Sequence, residues 1–348
     1  MKVFTHISTA ASIRPKDVAD RAVLAEEMGY DGVTVGETAH DPFLPLTLAA
    51  EHTTRITLGT AVAIAFPRSP MIVAQTSWDL QALSNGRFEL GLGTQVKGHN
   101  ERRFSTPWVP PIPRMREYVQ ALRAIWDTWQ NGTKLNYRGQ HYNFTLMTPM
   151  FNPGPLKHPR PPVLLAAVTP AMGRLAGEVA DGVLLHPLCT PKYLREVMWP
   201  AFREGAARSG RSLDTFQVNC ENFVITGKTA AEMRERKEAV RKQLSFYAST
   251  RTYRPVMDTH GWGETAGQLF QMSLGGQTGG GEGVWQQMSS LLTDEMLNEF
   301  AVIGTHDEVV GKIKERFKGL ITRMALPVPT TNADDRALVQ RMVRELQG

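Results

Sequence analysis

The chain has 348 residues, 42% apolar and 21% charged, with 39 lysines and arginines against 34 aspartates and glutamates, a net charge of +5. This balance excludes a disordered chain, and the lack of long like-charge blocks excludes a dedicated nucleic-acid tail; a diffuse positive field suits an anionic small ligand instead. The longest apolar run, Ala61 to Phe66, falls far short of the roughly 20 residues that cross a bilayer.

Met1 to Ser12 has Lys2 but no apolar core, so no secretory signal is expected and the protein reads as cytoplasmic. The first β-rich run is Val3–Ile7. A helix is expected after Pro15, where Val18, Ala22, Ala25 and Met28 keep helical spacing until Gly29 stops it. Further strands follow at Gly32–Val35, Ile56–Ala65 and Phe88–Gly93. In Met115–Trp129, Tyr118, Leu122, Ile125 and Trp129 share one helix face. A hairpin is expected over Leu135–Phe144, turning at Arg138-Gly139. Strands then recur at Val163–Val168, Gly182–Leu185 and Phe216–Ile225. Thr229 with Glu232, and Thr305 with Glu308, fit capping boxes that open helices. The strand Ile321–Leu326 and a final helix over Asp334–Leu346 close the chain.

Strands this apolar suit parallel pairing with both faces buried. Their alternation with helices predicts an α/β fold, a (β/α)8 TIM barrel, as one domain over residues 1–348. Insertions are expected after strands four and seven, at about 98–162 and 249–302. The rival is a doubly wound sheet, but its dinucleotide fingerprint is missing: Gly91-Leu-Gly93 has Val96 where the third glycine belongs. Gly227-Lys228-Thr229 imitates a P-loop ending, with Asn222 at that motif's first glycine. The glycine-dense stretch 275–283 reads either as a flexible insertion or as a lid over a ligand.

A barrel keeps its chemistry at the C-terminal ends of its strands. After the second strand come Glu37, Thr38, His40 and Asp41, an unusual density of polar and ionisable groups. Glu37 and His40 are placed to act as acid or base. After the fourth, Gly91 and Gly93 either admit a flat ring to the backbone or merely allow close packing. His99-Asn100-Glu101 lies on the next loop, and His186 follows the sixth strand. After the fifth, Thr169 caps a helix with Pro170 at its first position, offering backbone N–H groups to an anion. No residues show metal-ligand spacing or a serine-hydrolase elbow. Cys189 and Cys220 lack CxxC spacing and read as buried residues. Trp108, Tyr253 and Trp262 are candidates for pocket lining.

The chain resembles the bacterial luciferase-like family of flavin and deazaflavin oxidoreductases over nearly its whole length. The matching stretches are Ala25-Glu-Glu-Met-Gly-Tyr-Asp-Gly-Val-Thr-Val35, Leu58-Gly-Thr-Ala-Val62 with Ser69-Pro-Met-Ile-Val-Ala-Gln75, Leu83-Ser-Asn-Gly-Arg-Phe-Glu-Leu-Gly-Leu-Gly-Thr94, and Leu175-Ala-Gly-Glu-Val-Ala-Asp-Gly-Val183. Gly93-Thr-Gln-Val-Lys-Gly-His99 and Glu101-Arg-Arg-Phe104 make it most similar to the subgroup that uses coenzyme F420. The resemblance implies a homodimer that binds its cofactor without covalent attachment. It implies a non-prolyl cis peptide at Ala61–Val62, one residue either way, supporting the ring. Gly93, Thr94 and Gln95 would lie beside the ring, and Ala166, Ala167, Val168, Thr169 and Met172 would form the cofactor phosphate site.

The family's sugar-phosphate dehydrogenases carry Asp-His where this chain has Glu37-Thr38, and an acid where it has Val96. Both departures argue against a sugar-phosphate substrate. The expected activity is F420-dependent hydride transfer to or from a small organic substrate, most simply reduction of an activated C=C, C=N or carbonyl. The alternatives are an FMN-dependent monooxygenase using O2 and a non-catalytic deazaflavin carrier.

Overall fold

In the computed structural model, which describes residues 1–9, 11–277, 281–326 and 332–348, eight parallel strands form a closed barrel. In chain order they are Lys2–Ile7, Gly32–Val35, Thr57–Thr60, Phe88–Gly93, Val163–Ala167, Gly182–Leu185, Gln217–Glu221 and Arg323–Ala325. The first strand pairs with the second and the eighth, and pairing continues around both sides until the third meets the fourth through Leu58–Phe88 and Gly59–Glu89. This closure excludes the doubly wound sheet.

Side chains alternate across each strand. Val3, Val33, Val35, Leu58, Leu90, Leu92, Val163, Leu165, Val183, Val218 and Met324 point outward into the apolar layer shared with the helices. The opposite parity faces the barrel interior, which is neither uniformly apolar nor bulky. Phe4 fills its floor so closely that a Cβ at Gly32 would lie 1.9 Å from the ring. Arg323, 3% exposed, crosses from the eighth strand to Glu89 on the fourth in two hydrogen bonds of 2.6 and 3.1 Å. Its guanidinium rests on Phe4, 4.6 Å from the ring centre.

Two of the expected runs are interrupted. Ile56–Ala65 stops at Thr60 and resumes as Ala63–Ile64, which pairs with Leu92 and Gly93 of the fourth strand. Phe216–Ile225 divides at Asn222: Gln217–Glu221 stays in the barrel, and Phe223–Ile225 leaves it to pair in parallel with Ala301–Ile303. That last strand has only three residues, too few to show a period, and it lies at the end of the second long connection.

The first helix, Pro15–Glu27, ends before Gly29 at φ +89°, a conformation that favours glycine. Thr229 accepts the Glu232 N–H as expected, but the Glu232 carboxylate takes the N–H of Lys228 rather than that of Thr229. Glu308 reaches back to the Thr305 N–H over 3.0 Å, yet the helix begins only at Val309, so this motif builds a turn ahead of the helix. The hairpin pairs Tyr137–Arg138 with Asn143–Phe144, and Glu117 of the helix Pro111–Asn131 accepts the N–H groups of Gln140, His141 and Tyr142. Of the glycine-dense stretch, residues 278–280 lie outside the described residues, and the backbone on either side is helical, Gly263–Gln277 and Gly281–Ser290. No helix among the described residues is long and apolar enough to cross a membrane.

The Glu89–Arg323 pair yields a test of the interior. Glu89→Gln leaves a buried guanidinium without its counter-charge and should cost about 3 kcal/mol. The double replacement Glu89→Leu with Arg323→Met should recover most of that loss. Urea denaturation of the three variants measures both values.

Candidate active site

The peptide bond between Ala61 and Val62 is cis, at the position the resemblance implied. It lies in the break of the third strand, and its neighbours hold it from several sides. Ala61 N–H donates to Val35 O at 2.8 Å, and Val62 O accepts from Glu37 N–H at 3.2 Å. Thr60 Oγ1 donates to Gly91 O at 2.7 Å and accepts the Gly91 N–H at 2.9 Å. Beyond the break, Ile64 N–H donates to the Glu37 carboxylate at 2.8 Å.

Glu37 is therefore engaged. Its side chain is 6% exposed, and the oxygen that accepts from Ile64 also accepts from Arg68 at 2.8 Å. Arg68 reaches Ile64 O with the same nitrogen, and with its other terminal nitrogen donates to Asp41 at 2.7 Å. Burial opposes the Arg68 charge, but its bonds to Glu37 and Asp41 prevail and hold the guanidinium above its ordinary range. Asp41 in turn accepts the Phe43 N–H and starts the helix Phe43–His52.

Glycines let the neighbouring chain close on this bulge. A Cβ at Gly91 would fall 1.9 Å from Thr60 O, and one at Gly93 would fall 2.6 Å from Val62 Cγ2. Close packing of the third strand on the fourth thus requires both. A Cβ at Gly36 would come within 3.1 Å of both Ala61 O and the His6 ring. Gln95 adopts φ +55°, and its side chain accepts the Val96 N–H. Buried Asn100 fixes this loop by donating to Thr94 O and Val96 O, while its Oδ1 has no partner among the described residues. His99 and Glu101 are exposed, and Glu101 approaches only Lys97, at 3.9 Å.

Ala166 lies beside Gly93 on the interior side of the fifth strand, whereas Ala167 is buried toward the helices. Thr169 caps the helix Pro170–Val179 by accepting the Met172 N–H at 3.3 Å, and Val168 O accepts from the Tyr193 hydroxyl at 2.8 Å. The structure brings Ala61, Val62, Gly93 and Ala166 to one side of the mouth. Thr38 is exposed and bonds to Thr9, and its carbonyl accepts from Arg103. His40 Nε2 is buried with no partner among the described residues.

Two features emerge only from the fold, the inward placement of His6 and the aromatic contacts of His186. His6 projects into the interior from the first strand, its Nδ1 3.1 Å from Thr34 Oγ1 and its ring beside the bulge; alternation with Phe4 was the available signal. His186 meets Tyr247 and Tyr253 with ring centres 4.5 and 4.4 Å apart, and burial brings its imidazole down to about 4. Trp262 instead stacks on His260 within the second long connection. Cys189 and Cys220 are buried free thiols, and burial raises both, Cys220 to about 12, so neither is a ready nucleophile. Among the described residues no three His, Cys, Asp or Glu side chains are grouped to hold a metal ion.

The model of the luciferase-like monooxygenase family matches residues 1–323. A protein of Mycobacterium tuberculosis without an assigned function is 50% identical over 310 residues, covering 89% of each chain. The 5,10-methylenetetrahydromethanopterin reductase of Archaeoglobus fulgidus is 28% identical over 325 residues, 93% of this chain and 92% of that one. Among solved structures, the coenzyme F420-dependent tetrahydromethanopterin reductase of Methanopyrus kandleri superposes with a TM-score of 0.75 at 22% identity, over 99% of this chain and 98% of that one.

Because the Gly93 position is closed by Val62, Gly93→Ala should displace the Val62 side chain and cost about 1–3 kcal/mol. A thermal melt compared with that of Gly132→Ala tests the cause. Gly132 has nothing within 4 Å of a Cβ but sits at φ +69°, so its loss would report backbone conformation alone.

Proposed function

The chain belongs to the luciferase-like monooxygenase family, and we propose that it is a coenzyme F420-dependent oxidoreductase that transfers hydride to a small organic acceptor with an activated C=C, C=N or carbonyl group. The observation that carries this reading is the braced bulge at Ala61–Val62, held by Glu37, Val35 and Thr60 and packed against its neighbours at Gly36, Gly91 and Gly93, where no side chain intervenes. A flat ring fits such a surface. Likeness to the F420-dependent Methanopyrus reductase, and to an F420-dependent glucose-6-phosphate dehydrogenase of Nocardia farcinica that is 31% identical over 226 residues, supports a deazaflavin over FMN.

When bound, reduced deazaflavin supplies a hydride from its C5. In this proposal Ala61 and Val62 back the ring, and Gly93, Thr94 and Gln95 border it. The backbone from Ala166 through Thr169 to Met172, at the positive end of the helix Pro170–Val179, receives the cofactor phosphate. Glu37, already bonded to Arg68 and Ile64, positions the bulge. The His6 ring, which lies with Ala61 O about the Gly36 position, handles the proton, with Thr38 and His40 shaping the loop beside it. The protein's main contribution is orientation of the two reactants.

Titrating the apo-protein with F420 and, separately, FMN while following ring fluorescence tests the reading. At least tenfold tighter binding of F420 is expected. Tighter FMN binding would favour an O2-using monooxygenase, and binding of neither would overturn the assignment. A pure carrier would bind reduced F420 but pass its hydride to none of the acceptors offered.

The same reading makes the protein a cytoplasmic homodimer built of one barrel unit with two insertions. An apolar face on adjacent helices supports the dimer: Leu44 and Leu48 on Phe43–His52 and Ile72 on Pro70–Leu83 are 66, 38 and 55% exposed. Sedimentation should give a dimer for the wild type and a folded monomer for Leu44→Glu with Leu48→Glu.

A further inference from the structure

Across the barrel from the bulge, the mouth carries a wall of aromatic side chains. The strand order puts the third strand four places from the seventh in either direction, so the ends of the sixth and seventh strands face the bulge. Leu184 points into the interior, its Cδ1 2.6 Å from where a Gly91 Cβ would stand. Strand alternation places His186, two residues on, on the same face. Tyr247 of the helix Ala230–Ala248 meets the His186 ring edge-on, and Tyr253 of the turn Arg251–Tyr253 meets it at a tilt. Phe223, just beyond the seventh strand, lies 6.4 Å from Tyr247. Three regions distant in sequence, around His186, Phe223 and Tyr247–Tyr253, thus converge on one wall.

The polar atoms of this wall have a definite sense. His186 Nδ1 accepts the Leu188 N–H at 3.2 Å, which assigns the ring proton to Nε2 in the neutral imidazole. Burial keeps the ring neutral at physiological pH. The Tyr247 hydroxyl accepts from Gln243 at 2.8 Å. Burial raises the Tyr247 phenol, Gln243 partly counters this, and the Glu221 carboxylate at the end of the seventh strand adds to the rise. The wall therefore presents ring surface, one neutral N–H donor and a nearby negative charge.

We propose that this wall is the acceptor subsite and that it selects planar, conjugated carbonyl or imine compounds without an anionic group, with His186 Nε2–H donating to the acceptor heteroatom. The proposal rests on the hydride-transfer reading above. The rings favour flat π systems through stacked and edge contacts, and Glu221 disfavours carboxylates and phosphates. Reduction of such an acceptor forms a C–H bond at its electron-poor carbon from the hydride and its electron pair. The bound reduced deazaflavin is oxidised in return, and the heteroatom gains a proton drawn ultimately from solvent. His186 is a positioning residue for the heteroatom and a determinant of specificity.

The test uses the protein with reduced F420, 2-cyclohexen-1-one as the neutral conjugated probe and fumarate as its anionic counterpart. The wild type should reduce the ketone at least tenfold more efficiently than fumarate. His186→Phe, which keeps a ring and loses the N–H, should raise the KM for the ketone about tenfold while F420 affinity stays within twofold. Tyr253→Leu should do the same, and His186→Gln should restore part of the loss. Glu221→Gln should narrow the preference against fumarate. Ketone binding to the protein with oxidised F420, read by saturation-transfer NMR, should weaken in parallel in the first two variants. Unchanged ketone binding and KM in both, or a wild-type preference for fumarate, overturns the subsite and leaves F420 binding intact. Failure to bind F420 overturns both proposals, and the fluorescence titration reads that separately.

Discussion

The Arg68 guanidinium holds two carboxylates of the loop after the second strand, and the shape of the barrel mouth depends on that pairing. Glu37 and Asp41 come to it from one side and the carbonyl of Ile64 from the other. With most of the group withdrawn from water, these bonds are stronger than an exposed pair would be. Glu37 also takes the N–H of Ile64 just beyond the cis peptide, so a single carboxylate links the loop after the second strand, the broken third strand and the turn ahead of the helix Pro70–Leu83. The third strand pairs with the fourth before its break and after it, and the closed barrel passes through this join.

The barrel was legible because its strands are largely apolar and alternate with helical patterns, so all eight appear as β-rich runs, two of them longer than the barrel strands they contain. The breaks within them were not. Ile56 to Ala65 reads as one strand because Ala61 and Val62 are as apolar as their neighbours; only the family resemblance located the cis bond. Glu221 and Asn222 are polar at the division of the seventh run, but Gln217 and Asn219 are polar earlier in it, so polarity does not mark where the strand leaves its sheet.

At the site, sequence identified the loop carrying Glu37 but not that Arg68, 31 residues later, would occupy its carboxylate. That pairing follows from tertiary placement. His6 looked like any residue in a strand, and its position facing the interior becomes evident only once parity is fixed by Phe4 and the outward Val3 and Ile7. Tyr253 was singled out, but its contact with His186 joins segments with no local pattern in common.

Phe223–Ile225 and Ala301–Ile303 run side by side, at the spacing of about 4.8 Å usual for paired strands. The chain between them leaves the barrel and returns at nearly the same place. A segment whose ends already meet imposes almost no geometric demand on the scaffold that carries it. Tyr247 and Tyr253 belong to this excursion, whereas the bulge, Arg68 and the Thr169 cap do not. The architecture is modular in a practical sense: a different excursion between Ile225 and Ala301 would change what faces the bulge while the cradle stayed as it is.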